Sequence, residues 1–251
     1  MIGPSTTTSY FILLTTIYFY IKYILVDKYG MNSKGLGIAI TIMYLATMLF
    51  LQLKTNIQNA TEVCGGTPQT FTAITYTILP NFILFGTLLL CLMFFPGWKA
   101  PFSNTIGWLI VSSPVFGIKT LFNNILVSGS TNKLLKMVVR DPSIMINEIT
   151  PDNFYLFLNK MDGSKHSILN KEGQNHYKNH VPQLFNLVVV KDRIAEWIWY
   201  VLTGSLVISN SHSYIMGIKC KRSPAELQSK IDKRLSNPKK PKKAQKWLLA
   251  Y

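Results

Sequence analysis

The sequence predicts a mostly α-helical membrane protein. It reads as a bundle of about four transmembrane helices, then a small soluble region that is mostly helical or α+β, then a basic C-terminal tail. Three observations carry this. The 251 residues are 48% hydrophobic but only 15% charged. Ionisable side chains are sparse from Met1 to Asn132 and crowd in from Lys133 onward, so the two parts meet different surroundings. Several uncharged runs also reach the thickness of a bilayer's hydrocarbon core. The divisions that follow are a helical bundle at 1–127, a membrane-proximal region at 128–218 and a tail at 219–251.

The first apolar run covers residues 9–26 and is broken only by Lys22, which can snorkel to the interface on its methylene stem. The second, 35–53, is 19 residues without a charge between Lys34 and Lys54, or roughly 28 Å of helix. A soluble helix of that length shows a polar face; this one offers Thr41, Thr47, Gln52 and little else. The third lies in 63–98, 36 residues free of charge, of which about 71–95 is apolar enough to cross. The fourth, 100–118, is again 19 uncharged residues, with apolar character resuming after Lys119 as far as Val127. Ser112, Ser113, Pro114, Gly117, Asn123 and Asn124 weaken it, and it either spans or turns back as a re-entrant hairpin. Basic residues mark the cytoplasmic side. Three spans with a re-entrant fourth segment would put Lys28, Lys34, Lys99 and the tail together. Apolar length governs insertion more strongly than a few loop charges, and it favours four spans.

Between the third and fourth runs stands LMFFPGWKAPFSNTIGWLI, residues 92–110. Phe94, Phe95, Trp98, Phe102 and Trp108 read as an aromatic belt at the membrane–water boundary, joined by Trp197 and Trp199 further on. Pro96-Gly97 ends the third helix and Pro101 shapes the turn. Lys99 is the group this reading forces into water. Asn59-Ala60-Thr61 is a glycosylation triplet, used only in a loop that faces a secretory lumen.

In the soluble region, Thr150-Pro151-Asp152 resembles a helix start, with a hydroxyl cap and proline in the first turn. The following residues to 169 form a helix or, with Asp162-Gly163 as the turn, a hairpin; the cap favours helix. A further helix begins near Asp192. Its 22 residues 197–218 carry no formal charge, but Ser205, Ser209, Asn210, Ser211, His212 and Ser213 make the second half polar. It reads as a helix on the membrane surface or packed on the bundle rather than a fifth span.

The tail concentrates charge. Of the chain's net +15, residues 219–246 supply +9: Lys219, Lys221, Arg222, Lys230, Lys233, Arg234, Lys239, Lys240, Lys242, Lys243 and Lys246 against Glu226 and Asp232. Ser223-Pro224-Ala225-Glu226 is a capping box, and Leu227, Ile231 and Leu235 follow at helical spacing up to Asn237-Pro238. Trp247-Leu248-Leu249 after the basic run has the look of a docking end. Such a tail seeks an anionic lipid surface, nucleic acid or an acidic protein face.

Cys64, Cys91 and Cys220 are odd in number and far apart, with no disulfide framework, which points to a reducing compartment. The apolar N-terminus has no basic leader, so no cleavable signal is expected. Chemistry is thin. His176 and His180 could share a helical face for a metal, but neither the glutamate of a metalloprotease helix nor a cysteine is near. Cys64-Gly65-Gly66 reads as a turn. Glycine-rich phosphate loops and G-x-S-x-G are absent, and the apolar runs lack the acids of proton-coupled transport. No enzyme, cofactor or metal site is expected. A small channel or transporter, with its polar path lined by the fourth segment, is the alternative; a membrane enzyme built on the two histidines is the third reading.

Two strings carry a resemblance. Phe95-Pro96-Gly97-Trp98 with Pro101-Phe102-Ser103-Asn104-Thr105 and Gly107, and Asp192-Arg193 with Trp199-Tyr200 and Leu202-Thr203-Gly204, resemble a family of membrane-embedded minor capsid proteins of large icosahedral DNA viruses of algae and protists. The likeness covers most of residues 45–220. It implies a virion structural protein of the internal membrane beneath the capsid, with the bilayer, other minor capsid proteins and the major capsid protein as partners. The matching residues imply turn and packing roles, not a reaction.

Overall fold

The computed structural model describes residues 3–28, 34–125, 137, 140–162 and 174–220, together with 228, 229, 231, 232 and 236 of the tail. The described residues are mostly helical and contain no strand. Three helices are long and apolar enough to cross a membrane: Pro4–Asp27, Gly35–Val63 and Thr70–Phe94.

Helix α1 (Pro4–Lys22) starts with proline in its first turn, where the missing N–H has no partner to lose, and continues as a π-helical turn at Tyr23–Lys28. Helix α2 (Lys34–Val63) runs antiparallel to it. Helix α3 (Thr70–Phe94) contains Pro80, whose ring removes one backbone bond; a π-helical turn follows at Asn81–Phe85. Only 22%, 17% and 28% of the most apolar windows of these helices are buried. Tyr10, Leu13, Ile42, Met43, Phe50, Phe71, Phe82 and Leu90 point outward. An apolar exterior of this kind suits lipid rather than water.

Many polar side chains of these helices are satisfied internally, although the buried Asn81 Oδ1 has no partner. Thr7, Thr15, Thr16, Thr41, Thr47, Thr61, Thr75 and Thr77 each donate to the carbonyl four residues back. Hydroxyls and amides also join the helices. Thr15 Oγ1 lies 2.9 Å from the Tyr44 hydroxyl, and the Tyr18 hydroxyl 2.9 Å from Thr41 Oγ1. Asn56 Nδ2 donates to Thr77 Oγ1 at 2.8 Å, and Asn81 Nδ2 to Gln52 Oε1 at 2.7 Å.

The expected fourth span is not one helix. Residues 100–111 form a short irregular helix, α4, with a π-helical turn at Ser103–Gly107. Ser112, Ser113 and Pro114 end it, as their turn-forming chemistry favours, and Ile118–Ile125 restarts as α5. Among the described residues, the short helices α6 (Ser143–Ile146) and α7 (Phe154–Asp162) follow. The second makes the start of the ambiguous 152–169 segment helical; residues 163–169 lie outside the described residues.

Helix α8 (Gln174–Met216) has 43 residues, about 65 Å at helical rise. Its first half packs with α5, α6 and α7 around Val111, Ile118, Ile146, Phe154, Leu184 and Val188. Its second half packs against α1, α2 and α3. There Tyr200 sits among Tyr18, Phe19, Tyr44 and Phe85, with ring centroids 5.1–6.1 Å away. Gly204 permits the closest approach: a Cβ there would fall 2.0 Å from Phe11 Cζ. One helix thus belongs to two cores.

At the far end of the bundle, Cys64 and Cys220 form a disulfide across 156 residues, and Cys91 is free. This corrects the expectation of unpaired thiols and, with it, the argument for a reducing compartment. The pairing escapes a sequence reading because spacing alone does not fix connectivity. Asn59 lies in α2 and is 1% exposed, so the glycosylation triplet is not in a loop.

Candidate functional site

Where α8 passes from one core to the other, charged residues close into a belt. Lys99 Nζ donates to Asp192 Oδ2 at 2.6 Å. Arg193 forks onto Asp27, Nε to Oδ2 at 2.8 Å and Nη2 to Oδ1 at 3.0 Å, and places Nη1 2.7 Å from Glu196 Oε2. Glu196 Oε1 accepts from Lys22 Nζ at 3.1 Å. Three cations therefore meet three carboxylates, with side chains between 9% and 25% exposed. Mutual neutralisation is what makes such burial tolerable. Lys22 Nζ also lies 5.5 Å from the centre of the Tyr18 ring.

Two expectations are corrected here. Lys99 does not project into water, and Lys22 does not snorkel to a free interface. Both point inward because carboxylates on α8 are within reach. Burial alone would raise the Glu196 carboxyl, but Lys22 and Arg193 more than offset it and hold it down to about 2.

Lys191, beside this belt, is 2% exposed. Its Nζ donates to the Ile146 carbonyl at 2.6 Å and faces Asn104 Oδ1 at 3.4 Å. Burial lowers its pKa to about 8, against the opposing pull of Asp192 and Glu148. Gly107 packs on the Lys191 backbone: a Cβ there would lie 2.8 Å from the Lys191 carbonyl oxygen. Glycine is what allows α4 to lie this close to α8.

Aromatic rings rim the belt. Trp199 Nε1 donates to the Trp98 carbonyl at 2.9 Å, the two indole centroids lie 6.0 Å apart, and Phe102 meets Trp199 edge-on at 5.0 Å. Trp197 Nε1 donates to Thr16 Oγ1 at 3.1 Å. Phe94 and Phe95 remain outward at 66% and 60% exposure. Trp108 differs: it packs against the outer core, not on the rim. The structure thus brings together Trp98, Lys99, Phe102, Trp197 and Trp199, and it adds Lys22, Asp27, Lys191, Asp192, Arg193 and Glu196, which sequence reasoning did not join to them. One signal was available. Four charged residues fall within 191–196, directly before an uncharged run, just as Lys22 and Asp27 close another.

Of the basic tail residues, Lys219 is described, exposed beside the disulfide; Lys221, Arg222, Lys230, Lys233, Arg234, Lys239, Lys240, Lys242, Lys243, Lys246 and Trp247 lie outside the described residues. The His176 side chain does too. His180 Nε2 lies 3.3 Å from Asn124 Nδ2, and its Nδ1 3.4 Å from Gln183 Oε1. Among the described residues no three His, Cys, Asp or Glu side chains gather as a metal site needs. Comparison with protein families, curated proteins and solved structures finds no match.

Proposed function

We propose that this chain is a structural membrane protein of a virion that fixes the internal bilayer to the overlying capsid layer. The observation that carries the reading is α8, a single helix whose first half builds a folded layer outside the bundle and whose second half is packed among the apolar helices. The ionic belt pins the junction. A rigid element shared between two cores transmits position from one to the other, as an anchor must.

In this reading residues 197–216 make a fourth crossing, in place of the 100–118 segment. Part of their polar surface faces other helices, with Ser211 1% and Tyr200 2% exposed, while Ser209 and Ser213 lie on the outer face. The outer layer then docks on minor and major capsid proteins, and the resemblance of the 95–107 and 192–204 strings points the same way. The tail lies on the opposite face of the bilayer and meets anionic lipid or nucleic acid there.

The test is crosslinking in purified particles followed by lipid removal with detergent. An anchor forms crosslinks to shell proteins through 95–190 and stays with the shell. Loss of the chain with the lipid, without any such crosslink, refutes the proposal. Reconstituted liposomes should also show no conductance or flux, which separates an anchor from a channel.

A further inference from the structure

We infer that the crevice between α1 and α2 is a binding site for one anionic phospholipid of the leaflet at the disulfide end. This rests on the membrane reading above. The crevice encloses about 470 Å³. Leu14 and Ile17 of α1 and Met48 and Leu51 of α2 wall it, with Lys54 and Gln58 at its mouth. The Thr15–Tyr44 and Tyr18–Thr41 hydrogen bonds fix the antiparallel register of the two helices, which sets Lys54 beside the first turn of α1.

Two features select the occupant. The first is length. From the first turn of α1 to Ile17 is about 18 Å of helix, roughly half the hydrocarbon thickness of a bilayer. The crevice therefore accepts an acyl chain from one leaflet and ends near the midplane. The second is charge. Lys54 is exposed and forms no ion pair among the described residues. It also closes the 19-residue uncharged run that began after Lys34, which places it at head-group level. A cation at the mouth of an apolar slot matches a phosphate whose chain lies below. Gln58, one turn further out, already donates its Nε2 to Glu62 Oε1 at 3.1 Å, so the head-group contact rests on Lys54. A zwitterionic lipid fills the same slot, but an anionic one lacks the head-group cation that would compete with Lys54. Lys219, on the same end of the bundle, biases that leaflet surface toward anions as well.

The experiment is native mass spectrometry of the full chain, released from vesicles of equal phosphatidylglycerol and phosphatidylcholine. One phosphatidylglycerol should remain bound. Lys54→Gln should reduce its retention about fivefold, while leaving phosphatidylcholine unchanged. Leu14→Trp, which fills the slot, should remove both. An unchanged lipid ratio in Lys54→Gln, or full retention in Leu14→Trp, overturns the site. Alkaline carbonate extraction of the same vesicles separates the two levels of the argument. Release of the unmodified chain sinks the membrane reading and the site with it, whereas a chain that stays inserted but ignores Lys54→Gln sinks the site alone.

Discussion

Lys99 Nζ and Asp192 Oδ2 lie 2.6 Å apart, joining the turn after α3 to α8 across 93 residues of chain. The pair is largely shielded, at 17% and 9% side-chain exposure, so each partner relies on the other for solvation. Lys99→Met or Asp192→Asn alone should lower stability by about 3 kcal/mol. Combining Lys99→Met with Asp192→Asn should recover part of that loss. Thermal unfolding in detergent, analysed as a double-mutant cycle, measures the coupling. Additive losses would mean the pair contributes nothing as a pair.

Arg193 is held by geometry as well as charge. Its two bonds to Asp27 and one to Glu196 use the planar fork of the guanidinium. Arg193→Lys keeps the charge but cannot make three such bonds, so it should lower the melting temperature nearly as much as Arg193→Gln. A melting curve of Arg193→Lys matching the unmodified protein contradicts this.

Acid should loosen the belt in a defined window. Glu196 titrates near 2 when folded and near 4.5 when free. Its contribution is complete above pH 4.5 and is lost as pH falls toward 2. Chemical denaturation across that range should show a loss that Glu196→Gln lacks.

Base should act in the opposite sense through Lys191. Its folded pKa is near 8 and its free value 10.5, so the unfolded chain binds more protons between those values. Stability should rise from pH 8 to 10.5, and the penalty of burying the charge is fully present below pH 8. Lys191→Met should flatten this rise.

Gly204 should tolerate no side chain. Gly204→Val drives carbons into the Phe11 ring, and overpacking of this kind destabilises by roughly 1–3 kcal/mol. Phe11→Leu should restore part of the loss, measurable as recovered melting temperature in the double variant.

The three apolar helices were legible because a bilayer imposes a length that few other structures require. The apolar runs at 9–26, 35–53 and 71–95 fall within Pro4–Asp27, Gly35–Val63 and, to within one residue, Thr70–Phe94. Residues 100–118 misled for the same reason: uncharged length was present, but Ser112, Ser113 and Pro114 break the helix that would use it. The second half of α8 was obscured in the opposite way. Hydropathy assumes a helix that meets lipid all round, and Tyr200, Gly204 and Ser211 meet other helices instead. The belt was legible only in part. Lys99 and the tryptophans stood out singly, but Lys22–Glu196 and Arg193–Asp27 pair across 174 and 166 residues, which no local pattern reveals. Cys64–Cys220 is hidden likewise.

The sidedness of α8 tests the account most directly. Single cysteines at Thr67, Ser113 and Gly217, in a chain whose Cys64, Cys91 and Cys220 are serine, can be labelled in sealed vesicles with a membrane-impermeant maleimide. If residues 197–216 cross the bilayer, positions 67 and 217 react from one side and position 113 from the other. Labelling of 217 from the same side as 113 would show that α8 does not cross, and the anchor would lose its fourth helix.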